Sequence, residues 1–381
     1  MQRRLGAVIT VVVFTATLGA ARAEPPPPPA LPPSTPLFGY DNGFFLRTVD
    51  ERYSLHINGF AQVRYTADVA HDTFSNTFDL ALGRLALSGS IFDKRLLYFF
   101  QFEGSTFGNN NVISMLDWWM RFNVSPLFYV EAGRHILPYS RQFYTHPGNL
   151  LFCDLSAADY AFNLPRAVGA QIGGVLPHFA WDIFVTNSIR ALGVGTQVNR
   201  GDSIAAGARV EIDILNSYGY METVPSADSP ASLSIGAAFA YNPIADASSF
   251  QNVTTGDNTI NQTVDLGFRW RRISVQGAFY WRRKLNNEGG DNFGYYAQAG
   301  VYLVPNRLEL AGRASGVYFA APVPVAVQPD KTIGEYTGGL NVYLFGHNAK
   351  LQADYSYVRH ETFSSGTYPE HRVRVQTQIL F

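Results

Sequence analysis

Arginine side chains recur on the polar faces of several short alternating segments of this 381-residue chain. The final eleven residues, HRVRVQTQILF, place Arg372 and Arg374 opposite Val373 and Val375, and finish on Phe381. Residues two apart share one face of a β-strand, so such a segment has one charged face and one apolar face. Guanidinium groups displayed in this way could attract small anions, and carboxylates on the same faces could cancel that attraction.

The candidate wall charges come from strand-like segments along most of the chain. The arginines and their residue numbers are Arg64, Arg84, Arg121, Arg209, Arg272, Arg313, Arg372 and Arg374. The same predicted faces also carry the carboxylates of Glu103, Asp117, Glu131, Glu211, Asp213, Asp265, Glu309 and Asp354. A ring of one sign gives a pore its ion selectivity, whereas these two signs nearly cancel. The residues therefore predict a polar wall of mixed sign.

Catalysis is the competing chemistry. Nucleophilic catalysis needs a serine or cysteine within reach of a base. The eight histidines lie mostly in predicted loops or at strand ends, and none has an obvious serine partner on a neighbouring segment. The single cysteine, Cys153, has no metal-ligand spacing around it. We therefore expect neither an enzyme nor a bound metal or cofactor, and a hydrolase acting on lipid is the weaker hypothesis.

The elements that must position these charges are β-strands with a period of two. The segments LHINGFAQVRYTA, NQTVDLGFRW, RISVQGAFYWR and KLQADYSYV all alternate apolar with polar residues. Short and long connections alternate between such segments, beginning with a long loop near residues 69–77, which predicts consecutive antiparallel hairpins. Counting gives about sixteen strands of roughly ten to fourteen residues, enough to cross a bilayer at a tilt. The connection 215–231 is long where a short turn is expected, and is either an elaborated turn or a missed hairpin.

The N-terminal region predicts export. MQRR, the apolar LGAVITVVVFTATLGA and then ARA follow the order of a secretory signal peptide, so we expect residues 1–23 to be removed. A retained helical anchor is the alternative. Residues 24–42 begin with EPPPPPALPPSTP, which favours a proline-rich periplasmic arm or a disordered leader. A formal net charge of −1 gives no reason to expect nucleic acid as a partner.

Two β architectures could use such strands, a soluble sandwich and a transmembrane barrel. The apolar faces carry aromatic residues near strand ends, as interfacial girdles do. These are Tyr65, Trp118, Trp270, Trp281 and Tyr357. Closing the sheet also pairs every backbone group, which hydrocarbon requires. We predict an all-β fold, a sixteen-stranded antiparallel transmembrane β-barrel over residues 43–381, as a multi-pass protein in contact with Gram-negative outer-membrane lipid.

One predicted loop, residues 138–166, is much longer than a hairpin needs. It contains aromatic and apolar residues that an exposed loop would not favour, including Phe143, Tyr144 and Phe152. We expect this third loop to fold into the lumen and narrow the pore. The candidate constriction residues are Arg141, His146, Asp154, Asp159 and Arg166. The alternative is an outward loop that contacts a neighbouring subunit.

Four stretches of the chain carry a family resemblance. They are NGFFLRTVDERYSLHINGFAQVRY (43–65 with the preceding Asn42), RLALSGSIFDKRLLYFFQFEG (84–104), FYVEAGRHILPYSRQ (128–142) and NLPRAVGAQIGG (163–174). Together they resemble the phosphate-selective porin O and P family of Gram-negative outer membranes. The resemblance implies a sixteen-stranded channel, usually a homotrimer, with an inward third loop and a pore lined by basic residues. Many members carry a basic run entering the second strand, where this chain has LALG and keeps only Arg84.

The function expected from these observations is passive diffusion of small hydrophilic solutes or anions, phosphate among them, through a water-filled pore. The alternative is a structural barrel that its proline-rich arm tethers to the cell wall. The terminal aromatic, Phe381, resembles the signal that the outer-membrane barrel assembly machinery reads. We therefore expect that machinery to be a further partner.

Overall fold

The computed structural model describes residues 37–105, 112–187, 189, 204–226, 228–243, 257–286, 290–320, 330–364 and 366–381. The predicted signal peptide, residues 1–23, lies outside these ranges, and so do residues 24–36 of the predicted arm. The described residues form one large sheet with three short helical segments inside it.

Eighteen strands make up this sheet. They are β1 (Phe38–Tyr40), β2 (Phe44–Arg47), β3 (Ser54–Ala70), β4 (Thr73–Ile91), β5 (Asp93–Ser105), β6 (Val112–Ser125), β7 (Phe128–Ile136), β8 (Arg166–Leu176), β9 (Phe179–Asn187), β10 (Ile204–Asp213), β11 (Ser232–Pro243), β12 (Asn258–Trp270), β13 (Ile273–Lys284), β14 (Gly290–Val304), β15 (Leu308–Tyr318), β16 (Asp330–Tyr343), β17 (Ala349–Thr362) and β18 (Thr367–Leu380). The helical segments are α1 (Arg141–Tyr144), a 3-10 turn (Pro147–Asn149) and α2 (Ala157–Phe162).

Strands β3 to β18 close into a sixteen-stranded antiparallel barrel, as predicted. Each strand pairs with the next along the chain, and β18 returns to pair with β3 from Glu370↔Ala70 to Leu380↔Phe60. A closed wall satisfies the backbone groups of every strand, so the barrel leaves no open edge to hydrocarbon. Among the described residues, no helix is long and apolar enough to cross a membrane.

The wall separates an apolar outside from a polar inside. On β12, for example, Val264 and Leu266 point outward and are 54% and 39% exposed, whereas Thr263 and Asp265 point inward and are buried. The same alternation runs along β11 to β18, because successive side chains of a strand point to opposite faces. An apolar belt around a closed barrel is the surface that contacts lipid.

The two ends of the barrel differ in their connections. At the short-turn end, β12 and β13 are joined by Arg271 and Arg272 alone, with Arg271 at φ 52°. At the long-loop end, residues 137–165 join β7 to β8. The prediction of a long loop near residues 69–77 is wrong. Strands β3 and β4 stay paired as far as Ala70↔Thr73, and only His71 and Asp72 form the turn. Both have positive φ, 49° and 59°, which suits the tight turn of a twisted hairpin.

A small hairpin extends the seam of the barrel at the short-turn end. Strands β1 and β2 pair with each other, and β2 pairs with β3 from Phe44↔Ile57 to Arg47↔Ser54, just past the end of β18. The hairpin thus begins inside residues 24–42, the segment assigned to the arm. Phe381 completes the seam by exchanging backbone hydrogen bonds of 2.9 and 2.8 Å with Gly59. A Cβ at Gly59 would lie 2.2 Å from the Phe381 ring, so a larger residue there would require the ring to move.

Candidate pore constriction

Residues 137–165, hereafter the constriction loop, lie inside the barrel. Helix α2 packs against β13 to β16, where Phe162 stacks on Tyr280 with ring centroids 5.9 Å apart. The backbone N–H of Ala157 donates to Glu335 at 2.7 Å, and that of Ala158 donates to Ser315 at 3.0 Å. The apolar residues that made an exposed loop improbable from the sequence are therefore covered by the wall. The predicted inward third loop is confirmed.

Polar side chains of β16 and β17 hold the middle of this loop. Lys350 donates to the carbonyl of Leu150 at 2.9 Å, and Asn341 donates to that of Leu151 at 2.9 Å. The Cys153 N–H donates to Asp354 at 2.9 Å. The loop backbone thus finds partners on the wall, which permits irregular chain to be buried in a lumen.

Arg141, one of the predicted constriction residues, does not face the passage. Its side chain is fully buried, with Nε 2.6 Å from Asp265 and Nη2 3.1 Å from Glu211. Arg209 shares both carboxylates, at 2.7 Å from Asp265 and 3.2 Å from Glu211. Two arginines and two carboxylates form a neutral cluster. It anchors the start of the constriction loop to β10 and β12, a role that sequence spacing alone could not distinguish from pore lining.

Asp159, which belongs to helix α2 of the constriction loop, is also fully buried. It accepts hydrogen bonds from Tyr280 at 2.7 Å and from the Ser140 hydroxyl. Burial raises the pKa of Asp159 to about 6, against the hydrogen bonds that lower it. Asp159 therefore fixes α2 to β13 and does not line the pore, contrary to the prediction.

Asp154 does face the passage, with 44% of its side chain exposed. Its carboxylate lies 3.2 Å from Arg64 and 3.7 Å from Arg374. The confined lumen would raise the pKa of Asp154, but these two guanidinium groups outweigh that effect and lower it. Asp154 is therefore a negative charge on the surface of the passage.

His146 and Arg166 complete the predicted set. The His146 ring packs edge-on against Phe60 at 4.8 Å, and its Nδ1 accepts from the Gly148 N–H. Burial lowers the pKa of His146 to about 4, so it is neutral at pH 7. Arg166 begins β8, pairs with Asp117 at 2.8 Å and keeps only 6% of its side chain exposed.

The predicted wall arginines are each paired with a carboxylate, with one exception. The pairs are Arg64–Asp154 at 3.2 Å, Arg84–Glu103 at 2.6 Å, Arg121–Glu131 at 2.7 Å, Arg209–Asp265 at 2.7 Å, Arg313–Glu335 at 2.6 Å, Arg374–Asp354 at 2.7 Å and Arg372–Glu370. The exception is Arg272, whose assignment to the wall is wrong because it occupies the exposed turn between β12 and β13.

The pairing follows from strand register. Arg84 lies directly opposite Glu103, Arg121 opposite Glu131, and Arg374 opposite Asp354. Residues opposite each other in an antiparallel pair have neighbouring side chains, so opposite charges there form ion pairs. In these three pairs the inward charges therefore cancel across neighbouring strands.

Inward side chains that remain partly exposed are concentrated on β3 to β7 and on the facing side of the constriction loop. Arg121 keeps 26% of its side chain exposed, and its guanidinium lies 4.0 Å from the Tyr129 ring and 5.1 Å from the Trp119 ring. The constriction loop presents Asp154, which contacts Arg64 of β3, and Tyr160, which is 42% exposed. The open part of the lumen is thus lined by aromatic rings and paired charges.

The described part of residues 214–231, which leaves out residue 227, also enters the lumen from the short-turn end. It forms no hairpin, and the only ladder contact it makes among the described residues is the isolated bridge Asn216↔Ser232. The elaborated-turn alternative is therefore correct. Buried Tyr218, Glu222 and Thr223 belong to the site, and sequence reasoning missed them. The available signal was tyrosines in a connection far longer than its neighbours.

Comparisons with known proteins agree with this architecture at low sequence identity. No protein-family model and no curated protein matches the sequence. Similar solved structures include the anion-selective porin from Comamonas acidovorans, at 14% identity and TM-score 0.59, with 86% of this chain and 99% of that chain covered. Salmonella typhi OmpF has 11% identity and a TM-score of 0.59, with 88% of this chain and 100% of that chain covered. Pseudomonas putida OprB has 7% identity and a TM-score of 0.60, with 87% of this chain and 95% of that chain covered.

The fold is that of the Gram-negative outer-membrane porins. A closed sixteen-stranded barrel of this kind, with an apolar outer belt, is a multi-pass protein of the outer membrane. Identities of 7 to 14% support the fold alone. The resemblance to phosphate-selective porins therefore stays a prediction.

Proposed function

We propose that this porin-like barrel is a water-filled channel for passive diffusion of small hydrophilic solutes, with little preference for ion sign and no catalytic role. One observation carries the proposal: the wall arginines Arg84, Arg121 and Arg374 lie opposite Glu103, Glu131 and Asp354, and pair with them. A channel selects ions through an excess of one sign at its narrow section. A neutral, polar and aromatic wall conducts water and small solutes without that selection.

Phosphate passes this channel as one small anion among others. A dedicated phosphate site needs several guanidinium or ammonium groups free to converge on one anion. On the passage side, Arg64, Arg84 and Arg121 already have carboxylate partners at 2.6 to 3.2 Å. Phosphate must compete with these carboxylates, so we expect weak binding.

A homotrimer remains our proposal for the assembled state. Large apolar side chains are exposed on the outer surface of β4 and β6, where Phe74, Phe78 and Ile113 are 61%, 78% and 78% exposed. Neighbouring subunits would cover this patch. Replacing Phe78 by serine should shift the complex toward monomers in native electrophoresis, while an unchanged trimer would count against this surface.

The proposed function is tested by single-channel recording in planar bilayers. The purified barrel should produce steps of ohmic conductance in KCl and similar steps in potassium phosphate, scaled by ion mobility. Absence of conductance under both conditions would refute the channel. A much higher affinity for phosphate than for chloride would contradict the proposal that the channel is unspecific.

A further inference from the structure

Residues 214–231, hereafter the inner insertion, replace what should be a short turn. The β10–β11 ladder reaches Asp213↔Ser234, and the Ile214 N–H still donates to the Leu233 carbonyl at 2.8 Å. A two-residue turn would close this hairpin, as Arg271 and Arg272 do for β12 and β13. Instead the chain leaves the rim and runs into the lumen before it returns to β11.

Inside the lumen, the inner insertion binds the constriction loop through Glu222. The buried carboxylate accepts from the Leu151 N–H at 2.7 Å and from the Gln142 side chain at 2.8 Å. The Glu222 N–H donates to the Asn149 carbonyl at 3.1 Å. Three hydrogen bonds thus join two segments that enter from opposite ends of the barrel.

The orientation of Gln142 makes this contact specific for a carboxylate. The Gln142 side-chain oxygen accepts from the Ser156 N–H at 3.0 Å and from the Ser156 hydroxyl at 2.8 Å. Its amino group is therefore directed at Glu222, whose other oxygen faces the Leu151 N–H. A glutamine at position 222 would direct its own amino group at one of these two donors, and that hydrogen bond would be lost.

The inner insertion is also fixed to the wall. Arg269 of β12 donates to the carbonyls of Met221 and Thr223 at 3.3 and 3.2 Å. The Thr223 hydroxyl donates to Glu309 of β15 at 2.6 Å. The insertion therefore lies between the wall and the constriction loop and supports the loop from behind.

We infer that the inner insertion is a second constriction element, and that Glu222 is the positioning residue that holds the constriction loop in place. This inference rests on the proposed channel function. A sixteen-stranded barrel has room for a wide aqueous lumen, and here two segments share the task of filling one side of it. The solute size limit then depends on both segments, whereas the constriction loop alone was expected to set it.

Three variants test the inference. The first replaces residues 216–231 by Asn-Gly, which closes the hairpin with a tight turn. The second is Glu222→Gln. The third, Asp228→Asn, makes the same chemical change at an exposed residue of the insertion and is the matched control. Heat-modifiable migration in electrophoresis shows which variants form a folded barrel.

Two readouts are needed. The shortened variant should conduct about twofold more per channel, because the free cross-section of the lumen grows, and should admit larger sugars in liposome swelling. Glu222→Gln should keep the mean conductance but add noise and substates. The second readout is maleimide labelling of the native Cys153, which is buried in the constriction loop, where burial raises the pKa of its thiol to about 12. Labelling should be at least about tenfold faster in both variants than in the wild type and Asp228→Asn, because the released loop exposes a thiol that reacts as thiolate.

The outcomes separate the two claims. A wild-type protein that does not conduct refutes the proposed function, while Cys153 labelling still tests whether the insertion holds the loop. A folded shortened variant with wild-type conductance and size limit overturns the second constriction. If the shortened variant does not fold, Glu222→Gln decides, and labelling as slow as in Asp228→Asn overturns the positioning role.

Discussion

Replacing Asp154 by asparagine should turn a channel of mixed sign into an anion-preferring one. Asp154 is the half-exposed carboxylate on the constriction loop, 3.2 Å from Arg64 and 3.7 Å from Arg374. Arg374 also pairs with Asp354 at 2.7 Å. Two positive and two negative charges give this cluster a net charge of zero, so the substitution leaves it at +1. The volume of the side chain hardly changes.

The size of the effect follows from Coulomb's law. An ion passing about 6 Å from the carboxylate interacts with one unit charge by about 0.7 kcal/mol in water. Screening in about 0.1 M salt, where the Debye length is about 10 Å, leaves about 0.4 kcal/mol. The substitution removes an attraction for cations and a repulsion of anions, so the permeability ratio changes by about 0.8 kcal/mol, or about fourfold. A lower dielectric constant in the confined lumen would increase this change.

Reversal potentials across a KCl gradient measure that ratio directly. The matched control is Asp93→Asn, because Asp93 has a similar exposure of 42% and pairs with Arg95 at 2.9 Å, but lies at the short-turn end. We expect the control to keep the wild-type potential. An Asp154→Asn channel with an unchanged reversal potential would refute the assignment of Asp154 to the narrow section.

Three further predictions concern anchoring, pH and assembly. Arg141→Gln should destabilise the docked constriction loop by about 3 kcal/mol, because Asp265 and Glu211 lose a buried partner. Single-channel recordings of this variant should show frequent closing events, with little change in reversal potential. The pKa of Asp159 in the folded protein is raised from 3.8 to about 6. Docking of the constriction loop should therefore be strongest below about pH 4, and its free energy should weaken by about 3 kcal/mol as the pH rises through 6. Closing events should therefore increase over that window, and a flat pH profile in the wild type would contradict the role of Asp159. Phe381 completes the β18–β3 seam at Gly59. Deleting it should lower the yield of assembled barrel in membrane fractions but leave the conductance per channel unchanged. Equal yields of the wild type and the deletion variant would contradict a role of Phe381 in assembly.

The wall of the barrel was the part most accessible from sequence. A period of two is a local property, and it repeats along LHINGFAQVRYTA and KLQADYSYV regardless of what lies inside. It correctly predicted the strand count and the inward charges of β3 and β17. It failed near residues 69–77, because a polar exposed hairpin such as that of His71 and Asp72 looks like a loop when its register is unknown.

The interior was harder to predict because its contacts join residues far apart in the chain. Arg141 and Asp154 are charged residues of the same long loop, yet one is buried against Asp265 and the other faces the passage. The ion pair Arg84–Glu103 depends on strand register, which alternation does not fix to a single residue. The inner insertion was noticed only as an anomaly of length, since its partner Leu151 lies about seventy positions away.

Paired charges on the lumen wall should give a neutral, water-filled pore. The most direct test is the zero-current potential of single wild-type channels across a KCl gradient, repeated with potassium phosphate. A neutral pore should give a potential close to zero in KCl, with a potassium-to-chloride permeability ratio near one. A potential close to the Nernst value of either ion would contradict it, because the pairs on the wall would then leave an excess of one sign at the constriction.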